Sequence, residues 1–88
     1  MTSRTILDLD LRKILSKIET RYRVKLPRSV QAVDYGERRG DLYIRFRHVE
    51  KPVGTPTDDG LAILFYDNHG NRRAVAVEIL DLTALMRD

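Results

Sequence analysis

DGLAILFYDNHGNRRAVAVEIL, residues 59–80, holds two β-type runs, 61–66 and 74–80, around a turn-rich patch of Asp67, Asn68, His69, Gly70 and Asn71. That is how a hairpin is written in sequence. The first run is apolar at every position, so it has no solvent side and is expected in the middle of a sheet. The second alternates more clearly, with Val75, Val77 and Ile79 on one side and Ala74, Ala76, Glu78 and Leu80 on the other. It reads as the flank.

The chain around this hairpin has 88 residues, which is one domain, expected as a helix and basic connector over 1–28 and a β-sheet core over 29–88. With 42% hydrophobic and 33% charged residues it has enough core formers to fold and too many to be disordered. There is no cysteine, which excludes disulfides and thiolate metal sites. The longest apolar run, 61–66, is far too short for a membrane span, and the N-terminus lacks the layout of a signal peptide. A cytoplasmic location is expected. The net charge of +3 is uneven: residues 1–51 carry 13 basic and 7 acidic side chains, a balance of +6, and residues 52–88 carry 3 and 6, a balance of −3. Such a split marks either two solvated surfaces or a basic half that meets an acidic partner or nucleic acid.

Upstream, Leu7, Leu11, Ile14, Leu15, Ile18 and Tyr22 repeat at helical spacing, with Arg12, Lys13, Ser16, Lys17 and Thr20 off the stripe. An amphipathic helix over 8–22 follows, with Asp8 and Asp10 at its positive end and Arg21 and Arg23 near its negative one. Arg21, Arg23, Lys25 and Arg28 then form the densest cation cluster, up to the helix-breaking Pro27. Residues 30–35 read as a first strand, 36–40 as a turn and 42–47 as a second strand, with Leu42, Ile44 and Phe46 on one face and Tyr43, Arg45 and Arg47 on the other. Residues 48–58, HVEKPVGTPTD, read as a long polar loop, and 81–86 as a short helical turn docked by Leu82, Leu85 and Met86.

Nothing in this layout spells chemistry. His48, His69, Asp34, Asp41, Glu50, Asp58, Asp59, Asp67 and Glu78 show no metal-ligand spacing, and Asp67, Asn68 and Asn71 lack the order of a calcium loop. Thr55 and Thr57 have no base and orienter beside them. No glycine loop cradles phosphate. Glu78 reads as an exposed carboxylate on an edge strand. No enzyme and no cofactor are expected.

Residues 35–81 resemble the small prokaryotic family known as domain of unknown function 2283. The resemblance is carried by Tyr35, Leu42-Tyr43-Ile44, Asp59-Gly60, Tyr66-Asp67, Gly70 and Glu78-Ile79-Leu80-Asp81. Gly36 and Gly40 stand where that family usually has aspartates, Phe65 replaces an acidic residue, and about two extra residues separate Gly70 from Glu78. The helix before Tyr35 is an addition to the family core. The resemblance implies the hairpin, no assigned activity, and an antitoxin-like role as partner of a neighbouring gene product.

The expected fold is α+β, an N-terminal amphipathic helix packed on an antiparallel meander of about four strands. The helix is expected on the side of Leu61, Ile63 and Phe65. The reverse side would then present Tyr43, Leu64, Tyr66, Ala74, Ala76 and Leu80, rimmed by Arg45, Arg47 and Glu78, which is the make-up of an interface. A protein-interaction module pairing as a homodimer is the leading expectation. The alternative is a small basic nucleic-acid binder using Arg21, Arg23, Lys25, Arg28, Arg45, Arg47, Arg72 and Arg73, with Tyr43 stacking a base.

Overall fold

A computed structural model of the chain describes residues 10–67 and 73–87. The order of elements is α1 (Leu11–Tyr22), β1 (Ala32–Gly36), β2 (Asp41–Arg45), β3 (Val53–Pro56), β4 (Ala62–Tyr66), β5 (Ala74–Ile79) and α2 (Leu82–Met86). The class is α+β, as expected from sequence. The sheet has five strands rather than four, all antiparallel, in the order β1-β2-β5-β4-β3. It is not a meander throughout: β2 pairs with β5, and residues 46–52 carry the chain across to the far edge, so β2 to β5 have the neighbour order of a Greek key. The expected centre and flank are exchanged. The alternating run became the central strand β5, and the all-apolar run became β4, one place from the edge. The extra strand, β3, lies inside the stretch that reads as a loop.

Local chemistry explains the helix ends. Asp10 caps α1 by accepting from the Lys13 N–H at 3.1 Å, closing one of the free donors of the first turn. At the other end Arg23 adopts φ +56°, the left-handed turn-off that glycine usually occupies, and Val24 N–H closes back on the Glu19 carbonyl at 3.2 Å. The Glu19 side chain then takes the Leu26 N–H at 2.7 Å and Arg28 at 2.6 Å, which locks the connector against the helix. α2 is capped by Asp81 and tied to the β1–β2 turn by a Leu82 N–H bond to the Gly40 carbonyl.

Both helices cover the same side of the sheet. The cross-strand rows Leu42–Ile79–Ala62 and Ile44–Val77–Leu64 lie under Ile14, Leu15 and Ile18 of α1 and Leu82 and Leu85 of α2. The parity expected for β4 is therefore reversed: Ala62 and Leu64 face the helices, while Ile63 and Phe65 face away. A register shift between Phe65 and Tyr66 compounds this. Phe65 pairs with Ala76 and Tyr66 with Ala74, so Val75 is the extra residue of a bulge and Ala74 swings to the helix side. Leu64 (5% exposed), Tyr66 and Ala74 thus belong to the core or its border and not to the reverse face.

The rim of β3 has its own pattern. Thr57 N–H donates to the Ala62 carbonyl, so residues 53, 55 and 57 turn their backbone groups toward β4, and Pro52, Gly54 and Pro56 turn theirs outward. Of those three only Gly54 has an N–H to offer. A Cβ at Gly54 would come within 3.0 Å of the Phe65 ring and 3.2 Å of Ile63, so these two side chains lie over the glycine and fill the space it leaves.

Candidate interaction face

Two regions gather the side chains that the sequence singles out. The first is a wide cleft of about 560 Å³ where the end of α1 meets the β3–β4 hairpin, lined by Arg21, Tyr22, Arg23, Asp58 and Asp59 with Leu64 beneath. Its centre is the Asp59 carboxylate, which accepts from Arg21 Nε (2.9 Å), both oxygens from the Tyr22 hydroxyl (3.0 and 3.1 Å), Thr57 Oγ1 (2.7 Å) and the Leu61 N–H (3.0 Å). Desolvation pushes this carboxyl up. The bonds from Thr57, Leu61, Arg21 and Tyr22 outweigh it and hold the group well below the usual carboxylate range. Burial raises the Tyr22 hydroxyl above the ordinary tyrosine value. A carboxylate with its lone pairs filled and its proton affinity this low is no general base near neutral pH. The cluster is a fastening that pins the helix end to the hairpin.

Glu19 is likewise held below its ordinary value, first by Arg28 and then by the Leu26 N–H. The basic connector is thus partly self-neutralised: Arg21 and Arg28 are ion-paired, while Arg23 and Lys25 reach solvent. Four of the cations named for the nucleic-acid alternative fall in two different places. Arg21 and Arg23 line the helix-end cleft, and Arg45 and Arg47 line a separate cavity with no residue in common. Arg73 is exposed, and Arg72 lies outside the described residues, as do His69, Asn68 and Asn71.

The second region is the side of the sheet away from the helices. One row runs Asp34, Tyr43, Glu78, Ile63, Pro56 and the next Ala32, Arg45, Ala76, Phe65, Gly54. Tyr43 and Phe65 meet edge to face across β5 with centroids 6.3 Å apart, the geometry that their ring quadrupoles favour. Tyr43, Ile63 and Phe65 are half-buried, and Leu80, at the same end as Leu61, is 42% exposed. Glu78 is not on an edge: it sits half-buried on the central strand between Tyr43 and Ile63. Of the six interface residues expected from sequence, Tyr43, Ala76 and Leu80 are on this side. Leu64, Tyr66 and Ala74 are not, and Ile63 and Phe65 take their place.

One end of this face is roofed. After β2 the chain rises over β5, with the Phe46 and Arg47 N–H groups both donating to the Val75 carbonyl (2.8 and 3.2 Å), and Val49 and Pro52 arch over Val75 and Ala76. Each is 2% exposed although neither belongs to the helix-side core. The sequence names His48 and Asp59 only as groups without ligand spacing, Tyr22 only as part of the helix stripe and Val75 only as a strand residue, because the places they take here arise only when distant segments meet. Among the described residues no helix is long and apolar enough to cross a membrane and no acidic, histidine or cysteine group of three could hold a metal. No family model matches the chain, and no curated protein or solved structure shows significant similarity to it, so the resemblance of residues 35–81 to domain of unknown function 2283 rests on those residues alone.

Proposed function

We propose that the chain is a binding module rather than an enzyme, and that its uncovered sheet face takes a second copy of the same chain. The observation that carries this reading is the half-buried strip of Tyr43, Ile63 and Phe65 on β2 and β4, which no element among the described residues covers and which exposed Leu80 extends. An apolar centre with charged surroundings is how interfaces are composed. The charges suit self-pairing. Arg45 lies at one end, and Glu78 and Asp34 lie a row nearer the other, so a two-fold axis lying between the two faces and running across the strands brings each Arg45 toward the other chain's Glu78. Glu78, half-buried on the central strand, gains a cation by that arrangement.

Light scattering tests it on the intact chain and on Phe65→Lys, with a circular dichroism melt to show that the variant is folded. A dimer mass at tens of micromolar that falls to monomer in the variant is the expected result. A monomer mass for the intact chain, or a dimer untouched by the lysine, removes this face. Leu64→Lys is unsuited to the purpose, because Leu64 is buried under the helices and its replacement reports on folding.

A further inference from the structure

The roofed end of the open face holds a cavity of about 220 Å³ that shares Tyr43 and Arg45 with the pairing strip and adds Arg47 and His48 to them. Val75 and Ala76 form its apolar floor, and Tyr43, Arg45, Arg47 and His48 form its walls. Among the described residues no carboxylate lines it, and Asp67 reaches Arg47 from outside the lining. This sets it apart from the helix-end cleft, where Asp59 neutralises Arg21.

The two guanidinium groups differ in how they are held. Arg45 Nε donates to the Gln31 side-chain oxygen at 2.9 Å. An amide oxygen fixes the plane of the fork without cancelling its charge and leaves both terminal nitrogens for another acceptor. Arg47 gives one terminal nitrogen to Asp67 at 2.9 Å, yet its side chain is 54% exposed and keeps donors in reserve. Asp67 is therefore the competitor that an incoming anion meets. The Val75 bulge holds the start of the arch by two backbone bonds, which sets Arg47 and His48 at the mouth.

We propose that this cavity binds a phosphate group, either inorganic phosphate or the phosphate of a small ester such as a nucleoside monophosphate. A carboxylate is satisfied by a single guanidinium fork, whereas a tetrahedral anion presents acceptors to two forks and an imidazole together. The cavity is smaller than the roughly 300–1,000 Å³ that takes a drug-sized ligand, so the phosphate is held inside and any substituent leaves along the Tyr43 ring. The site does not depend on pairing, since every lining residue comes from one chain.

The test is titration of the isotope-labelled intact chain with sodium phosphate, and separately with adenosine monophosphate, against sodium chloride at equal ionic strength, followed by amide and arginine side-chain resonances. Saturable shifts at Tyr43, Arg45, His48 and Ala76 are expected, weakened at least about tenfold in Arg45→Gln and several-fold in His48→Ala, which sits in an exposed loop. Tighter binding of the nucleotide identifies an ester as the ligand. Equal binding identifies phosphate itself. Light scattering on the same samples separates a lost phosphate site from lost pairing: His48 belongs to the cavity alone, so His48→Ala should keep its mass while the shifts weaken, whereas Arg45→Gln touches both surfaces. Shifts no larger than those with chloride, or shifts the same in both variants as in the intact chain, overturn the proposal.

Discussion

Leu64 and Ile63 are neighbours on β4 and equally apolar, yet Leu64 is 5% exposed beneath the helices while Ile63 lies half-buried on the side away from both described helices. The same division runs through the whole sheet. Toward the helices the rows are Leu42–Ile79–Ala62 and Ile44–Val77–Leu64, closed off by two helices. Away from them, aromatic, aliphatic and charged side chains share one surface: Tyr43, Phe65 and Ile63 with Arg45, Glu78 and Asp34. The lesson is that hydrophobicity identifies a strand but does not name its buried side. What names it is the partner strand, the bulge and the element laid on top.

Paired aspartates give the sharpest way to break this comparison. Leu64→Asp places an unpaired carboxylate in the core and should cost more than about 4 kcal/mol, a large share of the roughly 5–15 kcal/mol of an ordinary domain. Ile63→Asp, one residue away, should cost less than about 1.5 kcal/mol at protein concentrations too low for pairing, because its carboxylate can then stay in water. Urea denaturation of the two variants decides it. Equal losses would mean that the two faces are not distinct.

A second, smaller effect concerns how the helix is held on its side. Asp59 and Glu19 both have folded values below their ordinary ones of 3.8 and 4.5. A depressed carboxyl contributes stability that is complete above the ordinary value and disappears as pH falls toward the folded one. The intact chain should therefore lose stability progressively from about pH 5 downward, and Asp59→Asn should show a flatter profile over that range. Since Asp59 is only partly buried, the substitution itself should cost on the order of 1 kcal/mol at neutral pH. Thermal melts between pH 7 and pH 3 read both quantities, and an unchanged slope in the variant would show that the fastening is not formed.

The smallest effect has the opposite sign. Arg23 holds φ +56°, and Arg23→Gly should relieve that conformation and raise stability by about 0.5–1 kcal/mol, seen as a higher midpoint in urea. A loss instead would mean that the arginine side chain contributes more than its backbone costs.

Much of this architecture can be read from the residues. The helix follows from the spacing of Ile14, Leu15, Ile18 and Tyr22, and β2 from the alternation of Leu42, Tyr43 and Ile44. The β4 side cannot be read, because an unbroken run from Leu61 to Tyr66 has no polar position to mark a face, and the Val75 bulge shifts the partner strand's parity as well. β3 is illegible for the contrary reason. Val-Gly-Thr-Pro is exposed at all four positions and has no buried alternation, and only Gly54 beneath Phe65 betrays a strand. The pairing of β2 with β5 lies beyond any local pattern, and with it go the arch, the cavity and the placing of His48. Composition shows the cations, and the fold alone shows that they are divided between two places.

The outward groups of Pro52, Gly54 and Pro56 bear on how copies of this chain can accumulate. Propagating a sheet from molecule to molecule needs two receptive rims on each, and here the β3 rim offers a single donor over five residues. Lateral growth is left with β1. Two chains joined β1 to β1 would have spent that rim on each other and would present only proline-guarded ones, so growth by strand addition at the sheet edges ends at a pair.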